Sequence, residues 1–433
     1  MTTTQMTTRC RDAAPPPMTT ASAGRRHRAT SLSPPSSRPP RWGASWLLAL
    51  SLGWVAAACS DDAANDGGGQ GAGTDAVDTA DAPDNADAAS AHPSLAWALQ
   101  TAGPHGVGYR KLEVSYEAGG GLGTRKIPLH LFYPTAATQG SHPPPHGGLV
   151  VDNTSWVDAP ATPPDDGVEW PVMVYSHGHQ GFAGSSAFLA WHFASHGWIV
   201  AAPDHVGNLL SDAILPRPTW MYYARNLDVG ASLDRVAKLG AADGFGGGKA
   251  DTSRVVLTGH SFGAHTCWAA AGASFDIKLM EADCKEDGAR VRQGDCSPAM
   301  MALMAAGLRD ERIVAAIPLA GTMHRGVMGD KGHETAKIPV LSITGTKDDV
   351  GGKAQFDSCV GCDLTWIDLL DGTHQSFAVT CSQPGSKDKT CPDIKRYTLA
   401  MARRHVLGDQ SVKGLLAGEG KSDVVVKFEQ RKP

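Results

Sequence analysis

Arg254-Val-Val-Leu-Thr-Gly-His-Ser-Phe-Gly-Ala-His-Thr-Cys-Trp-Ala-Ala-Ala-Gly272 is the stretch that decides how the chain folds. Its first half is a short run of β-branched and apolar residues, the composition of a buried strand. Its second half is small and helix-forming. Between them Ser261 stands with Gly259 two residues before it and Gly263 two after. A serine on a sharp strand-to-helix turn has its hydroxyl lifted clear of the sheet, and small neighbours let the two backbones approach. Gly259 and Gly263 supply that room. The five-residue pattern alone arises easily by chance in a chain with 50 glycines; its placement between strand and helix gives it meaning.

Further runs with strand length and apolar or alternating pattern lie at 111–116, 127–133, 171–175, 198–202, 313–319, 338–344 and 365–370. Helical patterns fall between them, at 183–196, 224–239 and 394–406, the second with Val229, Leu233 and Val236 on one face. Strands that alternate with helices predict an α/β fold with a mainly parallel central sheet flanked by helices, and the two closely spaced early strands predict an antiparallel start. The Pro- and Gly-rich stretches 140–148 and 159–167 read as a surface excursion, and the Met-rich segment 273–308 as an insertion or partial cap. The catalytic domain is expected over 96–410, followed by a tail, 411–433, with a short strand at 424–428.

The first 95 residues have a different character. Arginines precede the apolar run Trp46-Leu-Leu-Ala-Leu-Ser-Leu-Gly-Trp-Val-Ala-Ala-Ala58, which is short for a membrane span and reads as a secretory signal over 1–58. Ala56-Ala-Ala-Cys59 resembles a bacterial lipobox, which makes Cys59 the lipidated first residue of an exported protein anchored to a bacterial membrane, at the periplasm or cell surface. The alternative is a plain signal cleaved nearby. Residues 59–95 form a spacer of Asp, Ala and Gly, too poor in apolar surface to offset its ordering entropy. With a net charge of −5 and no interior Lys/Arg block, nothing marks a nucleic-acid partner. Among the remaining cysteines, Cys284 with Cys296 and Cys381 with Cys391 pair most simply. Cys359 and Cys362 read as a structural disulfide, to each other or to those pairs, and Cys267 as a free buried thiol.

A serine hydroxyl is a weak nucleophile without a base, and the base needs an orienting group. Elbow serines are followed in chain order by the acid and then the histidine. Pro339-Val-Leu-Ser-Ile-Thr-Gly-Thr-Lys-Asp348 ends a strand with an acidic pair; Asp348 takes the acid role, with Asp349 as the solvated neighbour. Asp371-Gly-Thr-His-Gln-Ser-Phe377 follows the next strand and offers His374 as base. The oxyanion donors are expected to be the backbone N–H groups of Phe262 and His179, the latter from Ser176-His-Gly-His-Gln-Gly181. His177, His179 and His205 raise the possibility of a metal, yet such a site leaves the serine constellation unexplained, so no metal or cofactor is expected.

At this point the chain, from about Gly106 to Leu407, resembles the α/β-hydrolase superfamily. Within it, the likeness is to bacterial predicted dienelactone hydrolases, related to platelet-activating-factor acetylhydrolases. The likeness rests on Gly106-Val-Gly-Tyr109, Leu131-Phe-Tyr-Pro134, Ser176 to Gly181, Ala202-Pro-Asp-His-Val-Gly-Asn208, Arg225-Asn-Leu-Asp228, the elbow, Asp310-Glu-Arg-Ile313 and Gly372 to Phe377. Ala264 replaces a more usual glycine. Ala316-Ile-Pro-Leu-Ala-Gly321 lacks the carboxylate that animal acetylhydrolases carry after that strand, which leaves the acid to Asp348.

The resemblance implies a monomeric serine hydrolase of small or lipid-like carboxylic esters. Thioester, lactone or amide hydrolysis with the same triad, or a silent hydrolase-fold surface lipoprotein, are the alternatives.

Overall fold

A computed structural model of the chain describes residues 92–164, 168–212, 218–285 and 296–433. The secretory signal, the lipidation site Cys59 and nearly all of the 59–95 spacer lie outside the described residues. Among the described residues no helix is long and apolar enough to cross a membrane.

Among the described residues, ten strands form one sheet. In chain order they are β1 Gly106–Ala118, β2 Gly123–Thr135, β3 Ser155–Val157, β4 Trp170–Ser176, β5 Ile199–Pro203, β6 Ala250–His260, β7 Ile313–Leu319, β8 Val340–Gly345, β9 Leu364–Leu369 and β10 Val425–Arg431. Their order across the sheet is β10-β9-β8-β7-β6-β4-β5-β2-β1-β3. The five strands β4 to β9 other than β5 pair in parallel, and β5 joins them parallel to β4; β1 with β2, β2 with β5 and β9 with β10 are antiparallel.

Every residue of β4, β5 and β8 is buried, as continuous apolar runs in a sheet covered on both faces require. The first half of β2 and most of β1 alternate or are partly exposed, as befits a hairpin near the sheet's edge. One face carries α2 Met221–Val236 and α3 Phe262–Ala270, with Trp170, Trp268, Tyr223 and the buried Met280, Met300 and Met304 in its core. The other carries α1 Ala187–Ser195 and the helix Cys391–Val406, with Phe193, Trp198, Ile394 and Tyr397.

Two details depart from the sequence reading. The helix expected over 183–196 is shorter, because Ala183 and Ser186 are held as turns by Asp204 Oδ1 (2.8 Å) and the Phe377 carbonyl (2.7 Å). The Pro- and Gly-rich excursion contains β3 and a buried His146–Asp152 pair at 3.0 Å, so it is anchored to the domain. The short strand expected at 424–428 in the tail is present as β10, which extends to Arg431 and joins the main sheet through six register pairs with β9. Disulfides join Cys284 to Cys296, Cys359 to Cys362 and Cys381 to Cys391, and Cys267 is free and buried.

Along the sheet, β4 connects to β5 on one side while β6 returns to its other side and the chain continues away through β7, β8 and β9. The carboxyl ends of β4 and β6 therefore flank a topological switch point, where the diverging connections leave a crevice. Gly263 is needed there: a Cβ on it would collide with the Ser176 carbonyl, which is rigid backbone. Gly263→Ala is expected to destabilise the fold by about 3 kcal/mol or more, read from urea unfolding midpoints, because neither strand nor helix has room to yield.

Candidate active site

Ser261 lies between β6 and α3 with φ 55° and ψ −116°, a backbone conformation that L residues rarely adopt. Its amide donates to the Leu319 carbonyl at the end of β7 (2.9 Å), and its carbonyl accepts from Ala264 (2.8 Å). A Cβ on Gly259 would strike Gly263, and one on Gly321 would strike the Ser261 carbonyl. The elbow is thus wedged between β4, α3 and the residues after β7. Phe262 is the first residue of α3, so its amide lies at the positive end of the helix dipole, beside the serine hydroxyl.

His374 opens a short 3₁₀ turn, His374–Phe377, just after β9. Its Nδ1 lies 3.0 and 3.1 Å from the two carboxylate oxygens of Asp348, in the loop after β8. The Asp348 carboxylate is nearly buried, at 8% exposure, while the His374 side chain is 22% exposed. Asp349 is exposed. The structure therefore brings Asp348, and not Asp349, to His374. The two loops meet because Gly345 and Gly372 lack side chains: a Cβ on Gly345 would run into the Gly372 backbone. Lys347 N–H to the Gly372 carbonyl and Asp371 N–H to Thr346 Oγ, both 2.9 Å, zip them together.

His260, next to Ser261, links this pair to the elbow. Its Nε2 donates to the His374 carbonyl at 2.9 Å, and the two rings lie 4.7 Å apart. Burial, with the neighbouring His374, holds its pKa well below the usual histidine range, which keeps it neutral and fixes Nε2 as the donor. Among the described residues no hydrogen bond joins Ser261 Oγ directly to His374; such bonds are often long before substrate binds and tighten afterwards.

His179 follows β4 in the loop Ser176-His-Gly-His179. Gly178 faces the elbow, and a Cβ there would lie 3.1 Å from Ser261 Cβ. His179 follows Gly178 directly, and the His179 and Phe262 rings are 6.3 Å apart. Asn208 Nδ2 donates to His179 Nδ1 at 2.5 Å.

His177 and His205 have both ring nitrogens engaged within the protein. His177 Nδ1 donates to the Gly178 carbonyl (2.8 Å) and Nε2 accepts from the His205 amide (3.0 Å). His205 Nδ1 donates to Asp228 (3.0 Å) and Nε2 accepts from Ser176 Oγ (3.0 Å). Burial, then the charge of Arg225, push both pKa values far down. A lone pair already accepting a hydrogen bond is not offered to a metal. The one metal-like cluster among the described residues, Cys381, Asp388 and Cys391, is spent on a disulfide and on bonds from Ser376 and Thr390.

Sequence reasoning gave no role to Asn208, Arg225 or Asp228, and read His260 only as a packing residue of the elbow. A signal was present: Arg225 and Asp228 are charged residues on the same helix as the apolar positions Val229, Leu233 and Val236, and both are buried. Charge on a buried helix face calls for a partner, and here the partners are the site's own loops.

Compared with known protein families, residues 151–213 match the model described as "Platelet-activating factor acetylhydrolase, isoform II". A search of curated proteins found no match. The matched stretch holds β4, the 176–181 loop, α1, β5 and Asn208, and stops short of Ser261, Asp348 and His374. It supports an acetylhydrolase-like ester hydrolase of α/β type, in keeping with the mixed sheet and flanking helices.

The contrast between the two aspartates is testable. Asp348→Asn is expected to lower p-nitrophenyl butyrate turnover by about 10³–10⁴-fold, through loss of the bond that fixes the histidine tautomer. Asp349→Asn is expected to leave turnover within about twofold, since substitutions of exposed residues away from a site are usually small in effect.

Proposed function

We propose that this chain is a serine carboxylic-ester hydrolase that works through an acyl-enzyme. One observation carries the reading: Asp348 bonds His374 at the sheet edge where Ser261 is held at positive φ, with His260 tying the two together.

In this reading Ser261 Oγ attacks the ester carbonyl carbon and its proton passes to His374 Nε2. Asp348, accepting from Nδ1, holds the ring in the required tautomer and stabilises the imidazolium. The carbonyl oxygen, now negatively charged, takes hydrogen bonds from the Phe262 and His179 amides. Collapse breaks the bond to the alcohol oxygen, which leaves with the proton from Nε2. Water then attacks the acyl carbon, giving up a proton to Nε2; the second collapse frees the carboxylic acid and returns the proton to Ser261. No step calls on a cofactor.

The substrate class is small or lipid-like esters, in keeping with the named activity of the matching family. The wider motif set resembles that of bacterial predicted dienelactone hydrolases and supports a reading within that group. The apolar run ahead of Ala56-Ala-Ala-Cys59 supports export and lipid anchoring at Cys59, with the enzyme acting as a monomer on a membrane-tethered spacer.

Ser261→Ala is expected to reduce p-nitrophenyl butyrate turnover by about 10⁵–10⁶-fold and to abolish labelling by a fluorophosphonate probe. Unchanged turnover in that variant removes Ser261 from the reaction. Cys59→Ala is expected to shift the protein from the membrane to the soluble fraction of its host; retention on the membrane argues against the lipid anchor.

A further inference from the structure

We infer that Arg225 and Asn208 are positioning residues of the oxyanion site, which lock the loop after β4 against the head of α3. The inference rests on the ester-hydrolase reading above and adds to it the means by which the two donors keep their spacing.

Arg225 lies on α2 at 1% exposure. One guanidinium reaches both walls of the site. Nη2 donates to the His177 carbonyl and to Ser176 Oγ (3.0 Å), so it grips the loop that bears His179. Nε donates to Thr266 Oγ1 on α3 (3.1 Å), and the guanidinium carbon lies 4.9 Å from the centroid of the Phe262 ring. Nη1 donates to Asn208 Oδ1 at 2.6 Å, and the same amide passes on a bond to the His179 ring. Ser176 is fixed from its other side by His205, which Asp228 of the same helix orients. The match to an acetylhydrolase family covers this loop and Asn208.

Desolvating a guanidinium is costly unless its donors are satisfied, and a planar fork of donors at fixed angles sets the relative position of whatever it holds. Lysine carries the charge without the fork, so Arg225→Lys separates geometry from electrostatics. An oxyanion site tuned in this way acts on the tetrahedral state and not on the bound ester. The loss therefore belongs in kcat, and in the affinity for a trifluoromethyl ketone, whose free carbonyl carbon, in equilibrium with its hydrate, adds the serine oxygen as the C=O π pair moves to oxygen and the serine proton passes to His374, giving a tetrahedral oxyanion.

The test compares the parent protein with R225K and N208A, using p-nitrophenyl butyrate, a trifluoromethyl ketone inhibitor and circular dichroism. Both variants are expected to fold, with kcat lowered about 10–100-fold, KM within about twofold, and ketone inhibition weakened by the same factor as kcat. A folded variant with the parent's kcat and ketone affinity overturns the inference, as does a rise in KM at unchanged kcat. If R225K fails to fold, N208A decides; if neither folds, the two residues serve the whole domain and the inference falls. A parent with no esterase turnover instead overturns the ester-hydrolase reading itself, whatever the variants do.

Discussion

A residue with φ 55° at the end of a buried strand costs about 1–3 kcal/mol, and it persists only where its surroundings leave no alternative. At Ser261 that enclosure is visible atom by atom. The amide is fixed by β7, the carbonyl by the first turn of α3, and the space around both is closed by Gly259, Gly263 and Gly321. These glycines let backbones touch where any side chain would force them apart. The placing of Ser261 at the mouth of the crevice follows from that contact. Relaxation of the turn would carry the hydroxyl away from the edge at which the other groups arrive.

His374 arrives by a second close contact of the same kind. Gly345 and Gly372 allow the loops after β8 and β9 to lie backbone to backbone, which puts Asp348 against His374. Below them Asp388 accepts from Ser376 at 2.5 Å, and Ser376 caps Thr373 at 3.0 Å, the residue before the histidine. The Cys381–Cys391 disulfide closes the segment that carries Asp388. His260 then joins the histidine loop to the elbow from the inside. His374 is held from three directions by groups that themselves have fixed partners, which restricts it to small motions.

The third component is polar and buried. Arg125 pairs with Asp228 at 2.9 Å, Asp228 orients His205 and accepts from Tyr116 at 2.6 Å, and Arg225 reaches the loop beside the serine. Burial raises the Asp228 pKa, against the opposing pull of Arg125, and the same burial keeps His177 and His205 neutral. Satisfied networks of this sort rigidify what they touch, whereas any one unpaired member would be expensive in so dry a setting.

Much of this was legible in the residues. The strand-to-helix run 254–272 set the elbow, and the alternation of apolar runs with helical periods set a mainly parallel sheet, because period and composition report how each segment meets a core. The order of Ser261, Asp348 and His374 along the chain was equally readable, as was local pairing of two disulfides. What periodicity does not carry is three-dimensional neighbourhood. Asp348 over Asp349 and a strand in the tail were also read from the sequence, but that the tail strand pairs with β9, and that His260, Asn208 and Arg225 brace the site, depends on which segments reach the same edge. Only the packed sheet decides that, since partners as far apart in the chain as Arg225 and Ser176 meet through strand order, a property of the whole fold and not of any stretch within it.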